Sequence, residues 1–114
     1  MEIVRDQVGI GRLAELAEGM FGDLVKAVVD IEREIMAIGA ELHADEEALL
    51  LGDGSRQADL WGINLYPADF ATADFLEFDS MINVRPGQGN RSRSVEDVSI
   101  QTRIAGIVER LVRP

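Results

Sequence analysis

Over residues 10–21 the apolar side chains Leu13, Leu16, Ala17, Met20 and Phe21 fall three and four positions apart. That spacing lines one face of an α-helix, with Gly19 and Gly22 as stop signals. The period then changes. Over residues 24–32, Val25, Ala27, Val29 and Ile31 alternate with Lys26, Val28, Asp30 and Glu32, which is the two-residue repeat of a strand. After a polar break at Arg33-Glu34 an apolar run resumes over 35–39, which predicts an antiparallel hairpin whose turn type stays open. Ile3-Val4 reads as a short edge strand.

Residues 43–51 admit two readings. Asp45, Glu46 and Glu47 precede Ala48, Leu49, Leu50 and Leu51, and Gly52-Asp53-Gly54 closes the segment. Acids first and glycine last favour a helix; the alternative is a strand entering a turn. Residues 60–66 read as a strand with Trp61, Ile63 and Leu65 on one face and Gly62, Asn64 and Tyr66 on the other, ended by Pro67. Residues 75–85 show the longest alternation. Leu76, Phe78, Ser80, Ile82 and Val84 are expected to point one way, and Phe75, Glu77, Asp79, Met81, Asn83 and Arg85 the other, completing a second hairpin. A loop over 86–94 leads to Ser94-Val95-Glu96-Asp97, a capping pattern in which Asp97 or Ser99 serves equally well as N-cap. Ile100, Ile104, Ile107, Val108 and Leu111 then mark one face of a last helix. The expected fold is α+β: a mostly antiparallel sheet of about four strands in two hairpins, packed with an N-terminal, a middle and a C-terminal helix.

A length of 114 residues suits one domain spanning 1–114, and 46% hydrophobic side chains suffice for a core. The absence of cysteine excludes disulfides, zinc fingers, iron–sulfur clusters and a thiol nucleophile. No signal-like or membrane-spanning run occurs, so the expected location is the cytoplasm. The net charge is −10, but it divides into −13 over residues 1–84 and +3 over 85–114. Nucleic acid is therefore not the expected partner, since phosphate neutralisation needs a basic surface. The same charge argues against a small toxin-like ribonuclease, which the order of elements would otherwise suit.

Three segments carry candidate chemistry. His43 is the only histidine and stands among Glu41, Asp45, Glu46 and Glu47. Beside a carboxylate such as Asp45 it can act as a general base, although the spacing matches no recognised metal motif. The loop from Arg85 to Arg93 holds three arginines and no acid. Arg85, Gln88, Asn90, Arg91, Ser92 and Arg93 ahead of a helix N-terminus make a candidate anion site, unless the arginines pair with carboxylates of the chain itself such as Glu77 and Asp79. Third, Asn64, Tyr66, Glu77, Asp79, Asn83 and Arg85 share one expected sheet face. Glu77 and Asp79, two residues apart, could there form an acid/base pair or hold a metal, or simply face solvent. No cofactor motif is present: the loop is neither a Walker A sequence nor Gly-x-Gly-x-x-Gly.

Several runs resemble a family of small uncharacterised bacterial and archaeal proteins, a domain of unknown function. They include Val25-Lys26-Ala27-Val28-Val29-Asp30, Glu41-Leu42-His43-Ala44-Asp45, Asn64-Leu65-Tyr66-Pro67 and Ile82-Asn83-Val84-Arg85-Pro86, followed by Gln88-Gly89-Asn90-Arg91-Ser92. The resemblance implies a stand-alone protein and brings no activity or site residue with it. It also implies a proline where Val98 stands, which suits Asp97 as N-cap. The functional expectation is binding, with or without turnover, of a small anionic or phosphate-bearing ligand through the arginine loop. The alternative is a non-catalytic regulatory protein acting as a homodimer.

Overall fold

The alternation over 24–32 becomes the centre of a sheet. The computed structural model describes residues 1–114. In chain order its elements are β1 (Glu2–Val4), β2 (Val8–Gly9), α1 (Ile10–Glu18), β3 (Val25–Asp30), β4 (Ile35–Ile38), α2 (His43–Gly52), β5 (Leu60–Leu65), β6 (Leu76–Glu77), α3 (Val98–Leu111) and β7 (Val112–Arg113). The main sheet has five antiparallel strands in the order β1-β4-β3-β5-β6, and β2 pairs with β7 in a separate parallel ribbon. The architecture is α+β.

Strand alternation sends side chains to two cores. Val25, Ala27, Val29, Met36, Ile38, Trp61, Ile63 and Leu65 meet Leu13 and Ala17 of α1 and Ile104, Ile107, Val108 and Leu111 of α3 in the larger core. Val28, Ile35, Ala37 and Leu60 meet Leu50 of α2 in a smaller one on the opposite face. Residues 43–52 are thus helical, and α2 covers only part of its face. The remainder is polar, and it holds the candidate site.

Local chemistry sets the ends of the elements. Helix α1 stops at Glu18 rather than continuing to Phe21, because Gly22 adopts φ +92° and its N–H donates back to the Ala17 carbonyl at 2.6 Å. Of the three cap candidates for α3, Asp97 is the one used: its Oδ1 accepts the Ser99 N–H at 2.8 Å. The β3–β4 turn is held by Asp30, whose Oδ1 accepts the N–H groups of Glu32 and Arg33.

The long strand expected over 75–85 does not form. Only Leu76–Glu77 pairs with β5; Met81–Asn83 and Pro86–Gln88 are single 3-10 turns. The reason lies at Gly62. Its N–H and C=O face away from β3, and the side-chain amide of Asn83 takes both, at 2.8 and 2.9 Å. One side chain thereby replaces a strand's backbone. Ser80 sits so close that a Cβ on Gly62 would lie 2.5 Å from Ser80 Cβ. The Ser80 hydroxyl also accepts the Ile82 N–H and starts the first 3-10 turn.

Candidate functional site

The arginine loop folds around Asn90, which is 4% exposed. Its Nδ2 donates to the carbonyls of Asn83, Ser92 and Ser94, and its Oδ1 accepts the Glu96 N–H. Arg85 lies 4.2 Å over the Trp61 ring and donates to the carbonyls of Gln57 and Leu60. Gln88 donates to the Ala58 carbonyl. The backbone N–H groups of Arg91 and Ser92, which form the anion nest, are occupied by the carboxylate of Glu96 at 2.8 Å each. Those contacts, with the Ser92 hydroxyl first among them, hold the Glu96 carboxyl below its ordinary range. Arg93 pairs with Asp79 at 2.6 Å. The loop therefore spends most of its donors on the chain itself, and only the Arg91 side chain makes no ion pair or hydrogen bond.

A second arrangement lies on the uncovered part of the α2 face. Lys26 of β3 stands directly opposite Asn64 of β5, and Asn64 directly opposite Glu77 of β6. Cross-strand neighbours of this kind lie roughly 5 Å apart at Cβ, so the three form a row. Glu77 Oε1 accepts from Asn64 Nδ2 at 2.8 Å and from Tyr66 Oη at 2.9 Å. The bond to Glu77 pushes the Tyr66 phenol up to about 12. Asn64 also donates to the Asp79 carbonyl, while its buried Oδ1 finds no partner. Lys26, the only lysine among ten arginines, makes no ion pair in a chain with twenty-one acids; its ammonium lies 4.9 Å over the Phe21 ring.

His43 opens α2 above this row and is 8% exposed. Its Nε2 lies 2.8 Å from the Ile63 carbonyl, which can only accept, so Nε2 carries the hydrogen. Burial lowers the imidazole's pKa, and the charges of Lys26, Asp79 and Arg93 also act on it. The neutral ring therefore keeps its lone pair on Nδ1, which makes none of the chain's hydrogen bonds.

The family model described as "Protein of unknown function (DUF5674)" matches residues 2–111. The chain belongs to the DUF5674 family. No curated protein and no solved structure matches it. Nor is any helix of this DUF5674 protein long and apolar enough to cross a membrane.

The fold of the DUF5674 chain sorts the sequence candidates. His43, Glu77, Asp79 and Arg93 come together on one face, with Asn64 and Tyr66. Asp45 does not join them: two positions after His43 on a helix, it is exposed and turned away. Arg85, Gln88 and Asn90 build the loop, and Asn83 and Arg85 leave the expected face altogether. The part played by Lys26 and the burial of Glu46 were not legible as such. Lys26 sat on the non-core side of an alternating strand, and only the absence of a partner distinguishes it. Glu46 is fully buried three residues after His43, accepting the Ala40 N–H at 3.0 Å. Its burial pushes the carboxyl up to about 9, so it is a neutral acid at pH 7.

Proposed function

We propose that the His43 face binds a small anionic ligand, a carboxylate or a phosphate compound. Lys26 and Arg93 supply its counter-charge and His43 accepts a proton. The observation that carries this reading is the state of His43: a neutral imidazole, fixed through Nε2 to a backbone carbonyl, with an Nδ1 that makes none of the chain's hydrogen bonds, in the field of Lys26 and of the Asp79–Arg93 pair. Its position supports the same reading. Leu42 provides no side-chain cap to α2, and although the Asp45 N–H bonds the Leu42 carbonyl, the helix N-terminus beside His43 favours negative charge. If the ligand is turned over, proton transfer through Nδ1 is the chemistry this set favours.

The test is a thermal-shift titration with inorganic phosphate and citrate. A ligand at 100 times its Kd adds about 2.7 kcal/mol, a rise in Tm on the order of 10 °C. The expected result is a rise that Lys26→Met and Arg93→Gln each diminish and Arg91→Glu leaves unchanged. A rise abolished by Arg91→Glu but indifferent to Lys26→Met would move the ligand to the loop and overturn the assignment. The alternative reading, a non-catalytic homodimer, draws on the exposed apolar side chains of Met81 (65%) and Val98 (71%). Sedimentation of the intact protein tests it: a dimer that Met81→Asp dissociates supports it, and a monomer throughout removes it.

A further inference from the structure

A cleft of about 490 Å³ lies on the α1/α3 side of the sheet, between the connection that precedes β6 and helix α3. Phe70, Phe75, Leu76, Ala105 and Val108 line it, and Glu109 is its one charged residue. The rings of Phe70 and Phe75 meet edge to face with centroids 5.2 Å apart. The volume falls within the range of small-molecule sites, and the walls are mostly apolar, as in such sites. The segment is held in this shape at a cost, since Ala71 adopts φ +66°, a left-handed conformation that a Cβ disfavours.

The charge lining the cleft has one sign. Glu109 makes no ion pair, although Arg110 beside it pairs with Glu34. Leu76 also lines a neighbouring cleft of about 380 Å³, which reaches Tyr66 and Glu77 of the His43 face and includes Asp69 and Asp74, neither of them ion-paired. An apolar, aromatic floor thus carries one uncompensated carboxylate, Glu109, with Asp69 and Asp74 beyond Leu76 in the adjoining cleft. Aromatic faces attract cations, carboxylates attract them more strongly, and an anion is repelled by both. We infer that this cleft binds a small organic cation, an amine with an apolar or aromatic body, at a site separate from the His43 face. The body lies on Phe70, Phe75 and Val108, and the ammonium faces Glu109.

The test uses three probes that share one phenylethyl body: phenethylamine, the uncharged 2-phenylethanol and the anion 3-phenylpropionate. Amide chemical shifts of the intact protein report where each one binds. The expected result is saturable perturbation of residues 70–76 and 105–112 by phenethylamine, with affinity at least tenfold above that of the alcohol and none for the carboxylate. Glu109→Gln should weaken the amine about fivefold or more and leave the alcohol unchanged. Ala105→Trp, which fills the cleft from an exposed helix position, should abolish binding while the remaining spectrum is preserved. Equal affinity for amine and alcohol would overturn the inference. So would perturbation confined to other residues, or none at 10 mM phenethylamine.

Discussion

Asn83→Leu keeps the volume of the side chain and removes its amide. In the folded protein that amide accepts from the Gly62 N–H at 2.8 Å and donates to the carbonyls of Gly62 and Arg93, at 2.9 Å each. Asn83 and Gly62 are both fully or almost fully buried, so water cannot replace these bonds without opening the edge of β5. Each buried backbone group left unpaired costs about 1–3 kcal/mol. Two orphaned groups on Gly62 therefore cost on the order of 2–6 kcal/mol. Total stability for 114 residues is on the order of 6–17 kcal/mol, so the substitution removes a large share of it. At roughly 4 °C per kcal/mol, Tm falls by about 8–24 °C. Circular dichroism melts give the global effect, and hydrogen exchange of the Gly62 amide gives the local one. A Tm loss under about 3 °C with the Gly62 amide still protected would refute the idea that one side chain closes this strand edge.

Glu46→Gln keeps the acceptor for the Ala40 N–H and removes the need to hold a proton. Because the folded carboxyl sits at about 9 against an ordinary 4.5, the wild type loses stability as pH rises from 4.5 toward 9. The variant should accordingly gain on the order of 3 kcal/mol at pH 7 and nothing at pH 4; equal gains at both would contradict the assignment. His43 has the opposite sign: its pKa is lowered in the folded state, so its contribution is present above the ordinary 6.5 and is lost as pH falls below it. Urea melts of His43→Gln between pH 5 and 7 should lack that part of the wild-type pH slope. Gly62→Ala brings a Cβ within 2.5 Å of Ser80 Cβ and should cost about 1–3 kcal/mol, measured by urea melts. Glu34→Gly relieves a non-glycine φ of +57° and should slightly raise Tm in thermal melts, since the exposed, 3.7 Å ion pair to Arg110 contributes little.

The parts of this fold that were legible in the sequence are those where one face of an element is buried and the other is wet. α1, α3, β3 and β5 show their periods for that reason. The segment 75–85 misled for the same reason: Leu76, Phe78, Ile82 and Val84 alternate with Glu77, Asp79, Asn83 and Arg85, yet the pairing partner at Gly62 is a side-chain amide, which leaves no backbone period. β2 and β7, two residues each, are too short to carry one. The site was half legible. Glu77, Asp79 and Asn64 share a face as their spacing implied, and His43 reaches them only through the packing of α2. Glu46 was hidden because an acid in the first turn of a helix ordinarily complements the dipole and faces water. Here the turn is rotated so that this acid points inward. The loop arginines were conspicuous by composition, but composition does not reveal that Glu96 lies in their nest.

Because the chain has a single histidine, one NMR titration addresses the proposed site directly. The imidazole signals of His43 are followed against pH, first without ligand and then with saturating phosphate or citrate. Without ligand, the ring should titrate below 6.5 and remain the Nε2–H tautomer at neutral pH. With ligand, the bound anion should raise the midpoint, and Lys26→Met should reduce that rise. A midpoint at or above 6.5 in the free protein, or one that neither anion moves, would contradict His43 as the proton acceptor of an anion site.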